Sequence, residues 1–146
     1  MRVEVEKGFV DGRGSIQNLV AEPVGNVALV TSKRGSVRSN HWHIEDWHYL
    51  YVLSGRMLYF ERALDDRQLP EPVSVSKGEM VYTGPGREHA CLFLEDSEVL
   101  SMARAAQTHF EHENDTKHVA VLDRETADRL LRAYGGTEIQ WPNPKP

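Results

Sequence analysis

The sequence predicts an all-β domain, an antiparallel sandwich or barrel, followed by one short helix. Two observations carry this prediction. Short stretches with the composition of β-strands recur at close, even spacing between residues 26 and 105, and glycine or proline residues separate them. One amphipathic helical pattern then follows at residues 123–134. An α/β sheet would instead alternate its strands with helical segments.

The strand candidates follow a segment of 26 residues whose glycines and short apolar pieces indicate loops and an edge strand. Their turns carry Gly55, Gly78 and the run Gly84-Pro85-Gly86, all typical of tight connections. In chain order, the predicted strands are Val27–Thr31, Ser36–His43, Trp47–Leu53, Met57–Phe60, Val73–Val75, Met80–Tyr82, His89–Leu94 and Val99–Ala103.

The last part of the chain carries the helix. Residues 106–118 are polar and mixed in charge, which predicts a loop. Asp123 is placed to cap the helix, Leu130 belongs to its apolar stripe, and Gly135-Gly136 should end it. The tail, residues 135–146, contains three prolines and is expected to be extended.

Composition excludes several classes of protein. With 146 residues, of which 40% are hydrophobic and 27% charged, the chain fits one ordinary globular domain. The formal net charge of -5 argues against nucleic acid as a partner. No segment has the length of a membrane span or the apolar run of a signal peptide, and the single Cys91 fits a reducing compartment. A cytoplasmic protein without a membrane partner is therefore expected.

Histidines cluster in one stretch of the chain. His41 and His43 are two residues apart on a predicted strand, so their side chains share a face, and His48 follows after a short turn. His89 lies in a second turn-rich stretch downstream. Because imidazole is a common ligand of transition metals, the cluster predicts a metal site.

The spacing of these residues with the surrounding glycines is specific. Gly35 is followed by five residues, His41-Trp42-His43, four residues, His48, six residues and Gly55. Downstream, Gly78 and Gly86 precede His89 in a second spaced pattern. The two patterns resemble the two motifs of the cupin superfamily. Three positions differ from those motifs: His48 stands where the family usually has Glu, Pro85 is displaced by one position from the family's Pro, and Phe93 stands where the family usually has Asn.

The resemblance implies a double-stranded β-helix, the cupin or jelly-roll barrel, often dimeric. It implies one domain over residues 1–146, with a barrel core at about 26–105 and the helix at about 123–134. By position, the implied metal ligands are His41, His43, His48 and His89. The ion would be a divalent transition metal, Zn, Fe, Ni or Mn, and four neutral ligands would leave it a strong Lewis acid.

Alternatives to this ligand set remain open. Glu45 would share the face of His43 if the strand continued, and it competes with His48 as a ligand. Cys91 shares the face of His89 and could approach the metal or be a small buried apolar group. The remaining histidines fall in the predicted polar loop and are expected to face solvent: His109, His112 and His118.

Other candidates surround the predicted site. Tyr59 and Glu61 are the candidate catalytic residues, as proton donor and as acid or base. Arg38 is a candidate clamp for a phosphate or carboxylate, although strict alternation places it on the opposite face from His41 and His43. Leu50 and Val52 should lie inward with His48. The aromatic side chains on the other face of that strand should cover a second sheet or a subunit interface: Trp47, Tyr49 and Tyr51.

The stretch from Asn40 to Gly55 also resembles small RmlC-like cupins of nucleotide-sugar and surface-polysaccharide biosynthesis. That resemblance implies a metal-dependent isomerase or epimerase of a sugar or sugar nucleotide, acting as a homodimer. One variant without metal uses a histidine directly as the base. The alternatives are an iron-dependent dioxygenase of a small molecule and a non-catalytic small-molecule-binding protein.

Overall fold

The computed structural model describes residues 1–106 and 113–134. Within these ranges the chain forms two five-stranded antiparallel sheets, one isolated hairpin, a helix near the end, and a helical turn at residues 113–115. The first sheet has the order β1-β9-β6-β11-β4, with strands Arg2–Val3 (β1), Met80–Thr83 (β9), His48–Ser54 (β6), Ser97–Ala103 (β11) and Asn26–Ser32 (β4). The second has the order β12-β5-β10-β7-β8, with strands Thr116–His118 (β12), Val37–His43 (β5), Arg87–Phe93 (β10), Arg56–Ala63 (β7) and Val73–Ser76 (β8).

The hairpin pairs Phe9–Asp11 (β2) with Gly14–Ile16 (β3), and the helix α1 runs from Arg124 to Ala133. All strand pairs are antiparallel, and both sheets interleave strands from the two halves of the chain. The all-β jelly-roll prediction is confirmed. Among the described residues, no helix is both long and apolar enough to cross a membrane.

Two apolar cores follow from the alternation of side chains along β10. Cys91 and Phe93 face the interior between the sheets, where they pack with Val52 and Val99. Ala90 and Leu92 face the opposite way and pack beneath the helix. The two residues of the helix that are fully buried in this outer core are Ala127 and Leu130. The helix therefore covers the outer face of the second sheet and leaves the barrel interior to the site.

The turn from β6 to β7 contains Gly55, as predicted. Its φ is +88°, and a Cβ there would lie 2.6 Å from the carbonyl oxygen of Asp96. A residue with a side chain would therefore be strained in backbone angle and in contact distance. This turn carries the chain from β6 in the first sheet to β7 in the second, the strand with Tyr59 and Glu61.

One strand lies where a loop was predicted. Within residues 106–118, the segment Thr116–His118 pairs with β5, and His118 stands opposite His41. Its sequence, Thr-Lys-His, has no apolar alternation that could have predicted a strand. Backbone hydrogen bonds to β5 at the edge of the sheet hold it in place. His118 is 71% exposed, consistent with the solvent-facing position expected for it. His109, His112 and the predicted tail 135–146 lie outside the described residues.

A β-bulge in β5 overturns one predicted side-chain direction. Ser39 pairs with Ala90 while His41 pairs with the adjacent His89, so β5 has one extra residue, Asn40. Ser39 and Asn40 both have positive φ, at 71° and 56°. The extra residue reverses the alternation, and Arg38 therefore stands opposite Cys91, on the interior face. The prediction that Arg38 lies on the face away from His41 and His43 was wrong.

Candidate active site

A cavity of about 440 Å³ lies between the two sheets. His41, His43 and His48 line one part of it, together with Arg38 and Asp46. The rest of its lining is mainly apolar, including Leu50, Met57, Phe93 and Val99. Its volume and mixed lining suit a small molecule with polar and apolar parts.

Three histidines converge beside this cavity. His41, His43 and His89 each offer one ring nitrogen, and these nitrogens all lie within 4.8 Å of one another. The ring centroid of His41 is 4.7 Å from the ring centroid of His43 and also 4.7 Å from that of His89. Alternation along β5 and the pairing of His41 with His89 produce this arrangement. We refer to these three residues as the histidine triad.

His48 lies next to the triad without being part of it. Its ring centroid is 5.0 Å from that of His43 and 5.2 Å from that of His89. It comes from β6 in the opposite sheet and is 8% exposed. The four predicted ligands are thus neighbours, and its role as the fourth ligand stays a prediction.

The surroundings of His89 suit a metal ligand. Its side chain is fully buried, and Nδ1 lies 3.0 Å from the carbonyl oxygen of Arg87. Because a carbonyl only accepts, Nδ1 carries the hydrogen and Nε2 presents a lone pair. Among the described residues, that Nε2 has no hydrogen-bond partner. Burial, and next the neighbouring His48, lowers the pKa of His89 to about 3, so the ring is neutral at ordinary pH.

His43 is supported from β12. Its ring is 1% exposed, and Nδ1 lies 3.3 Å from Oγ1 of Thr116 and 3.7 Å from Oδ2 of Asp115. Sequence reasoning missed both residues, because they belong to the segment predicted as a loop. No apolar pattern or motif in that segment could have pointed to them.

Glu45 and Asp46 occupy the connection between β5 and β6. Glu45 is exposed and does not belong to the triad. Asp46 is 2% exposed and lines the cavity. Its Oδ1 accepts hydrogen bonds from the backbone N–H groups of Trp47 and Ala105. Asp46 is therefore a cavity residue that the sequence did not identify.

Tyr59 and Glu61 lie on the interior side of β7 but are not among the residues that line the cavity. The Tyr59 hydroxyl donates to Glu61 over 2.8 Å, and it shares a short hydrogen bond with Thr83. Burial, then the charge of Glu61, raises the pKa of Tyr59. Their catalytic roles stay a prediction.

Glu61 also bonds to the amino group of Met1 over 3.0 Å and to Arg87 over 3.2 Å. Burial opposes ionisation of this carboxyl, but the hydrogen bonds from Met1 and Tyr59 hold its pKa below its usual value. Glu61 is thus a carboxylate already engaged by two cationic groups.

Cys91 lines the cavity on the same strand face as His89, as expected. Its side chain is 2% exposed, and burial raises the pKa of the thiol to about 12. The residue is therefore a neutral thiol at ordinary pH and contributes to the wall of the cavity.

Solved structures with the same fold include a capsular polysaccharide assembling protein, a 3,4-ketoisomerase and an epimerase. CapF, a capsular polysaccharide assembling protein of Staphylococcus aureus, is 25% identical over 80% of this chain and 32% of that chain, with a TM-score of 0.57. QdtA, a 3,4-ketoisomerase of Thermoanaerobacterium thermosaccharolyticum solved with TDP, is 20% identical over 86% of this chain and 92% of its own, with a TM-score of 0.62. The RmlC epimerase of Mycobacterium tuberculosis is 17% identical over 86% of this chain and 71% of its own, with a TM-score of 0.66.

These similarities confirm the RmlC-like cupin fold, and this chain spans about a third of the length of CapF. No curated protein matches it in sequence. A family model described as the polysaccharide biosynthesis C-terminal domain matches residues 9–117, which include both motifs, the triad and β12 up to Lys117. The chain therefore belongs to the polysaccharide biosynthesis C-terminal domain family.

Proposed function

We propose that this protein is an isomerase or epimerase of a sugar or sugar nucleotide in polysaccharide biosynthesis. The observation that carries the proposal is the histidine cluster beside a cavity of about 440 Å³. Membership of the family supports the pathway. The ketoisomerase and epimerase among the solved structures of the same fold support the reaction class.

The histidine triad would hold a divalent transition metal: Zn, Fe, Ni or Mn. Three neutral imidazoles with nitrogens within 4.8 Å of one another suit such an ion, and the buried Nε2 of His89 supplies a lone pair directed by the bond from its Nδ1. When bound, the ion would polarise a sugar carbonyl as a Lewis acid.

We assign proton transfer to His48, in place of the role of fourth metal ligand that the motif predicted for it, because only His41, His43 and His89 form the triad. His48 lines the cavity beside the triad, on the opposite sheet, so that a substrate in the cavity would contact it. Its imidazole would accept a proton from the carbon next to the carbonyl. In a ketoisomerisation, His48 would return this proton to the former carbonyl carbon while the hydroxyl proton moves to the former carbonyl oxygen. In an epimerisation, a second acid would protonate the same carbon from the opposite face. Neither reaction requires an oxidant or reductant.

Arg38 supports an anionic substrate. Its Nε donates to Ser32 over 2.7 Å and its Nη2 to the carbonyl of Thr31 over 2.9 Å. Among the described residues these two bonds leave Nη1 for a ligand at the cavity. A fixed guanidinium at this position would bind a phosphate or carboxylate of the substrate.

The homodimer belongs to the same proposal, with a second copy covering the outer face of the first sheet. Val27 and Leu29 are 57% and 58% exposed on β4, and β4 is an edge strand within the described residues. Trp47, Tyr49 and Tyr82 form an aromatic cluster on the same outer face. An apolar edge strand beside an aromatic face favours association with an identical surface.

Hydrogen exchange into a sugar tests the function directly. The protein, with metal added, is incubated in D₂O with nucleotide-linked sugars that carry a ring carbonyl, and proton NMR follows the neighbouring carbon. We expect deuterium to appear there with wild-type protein and not with His48→Gln. Binding without exchange across the panel would instead favour the non-catalytic alternative, and iron-dependent oxygen uptake would favour the dioxygenase.

A further inference from the structure

We infer that Asp115 is a positioning residue that orients the His43 ring and fixes the segment between His43 and His48. Its catalytic consequence rests on the proposed function. The geometry itself is a property of the protein without substrate or metal. Asp115 lies outside the motif that carries the histidines and directly before β12.

Asp115 accepts hydrogen bonds from three successive backbone N–H groups of that segment. The backbone oxygen of Asp115 accepts from Ile44 over 3.0 Å. Its Oδ1 accepts from Glu45 over 3.0 Å and its Oδ2 from Asp46 over 3.2 Å. Both carboxylate oxygens are thus engaged, and bonds to an ionised acceptor are stronger than neutral ones. One residue thereby sets the path of the chain between the two histidine-bearing strands.

The same carboxylate lies beside His43, at an ion-pair distance. Its Oδ2 is 3.7 Å from His43 Nδ1, and Thr116 Oγ1 is 3.3 Å from the same nitrogen. A carboxylate without a proton only accepts, so it favours the form of His43 with hydrogen on Nδ1 and a lone pair on Nε2. A carboxylate behind an imidazole fixes its orientation and raises its basicity as a ligand.

Burial makes this support effective. The Asp115 side chain is 11% exposed and the His43 side chain 1% exposed. Charges and hydrogen bonds act more strongly where water is largely excluded. The pairing of Thr116 with His43 across β12 and β5 holds the two groups together. By contrast, Asp128 is an exposed aspartate of the helix that pairs with Arg124, and it serves as a matched control.

The test compares wild type with Asp115→Asn in metal-free, ¹⁵N-labelled protein. Long-range ¹H–¹⁵N spectra report the tautomer of each histidine ring, and loss of one signal set in His43→Gln assigns His43. We expect hydrogen on Nδ1 in wild type and a mixture of tautomers in Asp115→Asn. Asn keeps one side-chain oxygen and carries an NH₂ group in place of the other, so one of the two amides, Glu45 or Asp46, should lose its acceptor and exchange about tenfold faster. The Ile44 amide should change less, because its acceptor is the backbone.

Thr116→Val keeps the Asp115 bonds and removes only the hydroxyl, so it tests the inference even if Asp115→Asn does not fold. Hydrogen should stay on Nδ1 of His43 in this variant, and the Glu45 and Asp46 amides should be unchanged; a mixture of tautomers would assign the ring to Thr116 and overturn the inference. Asp128→Asn should change neither the tautomer nor the amides. Zinc affinity, measured by competition with a chelator, should fall about 10- to 100-fold in Asp115→Asn. An unchanged His43 tautomer and unchanged amide exchange in folded Asp115→Asn would overturn the inference. Absence of sugar turnover in wild type would count against the proposed function alone.

Discussion

His43 and His89 are held at Nδ1 by different acceptors. A backbone carbonyl accepts from His89, whereas oxygens of Thr116 and Asp115 lie beside Nδ1 of His43. The carbonyl assigns the lone pair of His89 to Nε2, and the inferred role of Asp115 gives His43 the same tautomer. Two separate parts of the chain therefore support the two buried members of the triad. A change in either support should loosen one imidazole and leave the other in place.

Substitution separates the proposed metal ligands from the proposed proton-transfer group. If the triad holds a metal, a His43→Ala, His89→Ala double variant should not retain it, because the variant lacks two of the three triad nitrogens. His48→Gln should keep the metal and lose turnover. Elemental analysis of protein purified without chelators, together with the deuterium assay, measures both. Loss of metal in His48→Gln would instead make His48 the fourth ligand, and turnover after complete chelation would favour histidine as the base without metal.

Asn40 is the residue on which the β5 bulge depends. Its side chain bonds to Val121, Leu122 N–H and the Leu122 carbonyl, and its φ is positive. Asn40→Ala should lower the free energy of unfolding by about 2–4 kcal/mol, from three lost hydrogen bonds and an unfavourable φ. Asn40→Gly keeps the backbone angle and should lose about 1 kcal/mol less. Urea denaturation measures both, and equal losses would contradict a role for the angle.

The convergence of His41, His43 and His89 could be predicted from sequence because it depends on alternation and on motif spacing. The direction of Arg38 could not, since one extra residue in β5 reverses all alternation before it. Asn40 tolerates positive φ well, but an Asn in a strand does not by itself announce a bulge. The supporting role of Asp115 depends on a tertiary contact that local patterns do not contain.

Among the elements, the helix and β12 differ in how they are specified. The helix begins with Asp123, whose side chain accepts from the Thr126 N–H over 2.7 Å, and its apolar stripe packs on the outer core. Cap and stripe are local signals, so the helix was predicted where it lies. Strand β12 has three residues, no stripe and no turn signal, and it exists because β5 offers an open edge. Elements without local signals are set by the rest of the fold.

The helix cap gives a prediction with a defined pH dependence. Hydrogen bonds from Thr126 lower the pKa of Asp123 below its usual value. The stabilisation is therefore complete above the unfolded pKa of about 3.9 and is lost as pH falls through the lower, folded pKa. Asp123→Ala should lower the free energy of unfolding by about 1 kcal/mol at neutral pH.

Asp123→Asn is the matched control, because it caps without a charge. Its difference in stability from wild type should shrink as pH falls from about 5 to about 2. Urea denaturation across that range measures the difference. A difference that stays constant would contradict a contribution from the ionised carboxylate.

At the scale of the whole molecule, the two sheets have different outer surfaces. The helix covers the second sheet, whereas the first exposes Val27 and Leu29 at its β4 edge. The jelly-roll arrangement could be predicted because two spacings and eight strands agreed with it. What covers the outer face of each sheet could not be predicted. An outward apolar residue on a strand has the same sequence pattern whether a helix or another subunit covers it.

The exposed edge predicts the effect of a charge on assembly. Leu29→Glu should convert the proposed dimer into a monomer, because it places a carboxylate in the apolar contact. Leu64→Glu changes a leucine that is 41% exposed on another part of the surface and should leave the dimer intact. Sedimentation velocity measures both variants. A wild type that sediments as a monomer, or a Leu29→Glu variant that remains dimeric, would contradict this surface.

The position of Asp115 along the chain has a consequence for synthesis on the ribosome. All strands that carry histidines of the cluster precede residue 94, whereas Asp115 and β12 come after the last barrel strand, β11. On a nascent chain, His41, His43 and His89 therefore leave the ribosome before the residues that support His43. A metal ion captured at that moment would meet an unsupported His43 ring, so the choice of ion would be completed only after β12 has emerged and paired with β5.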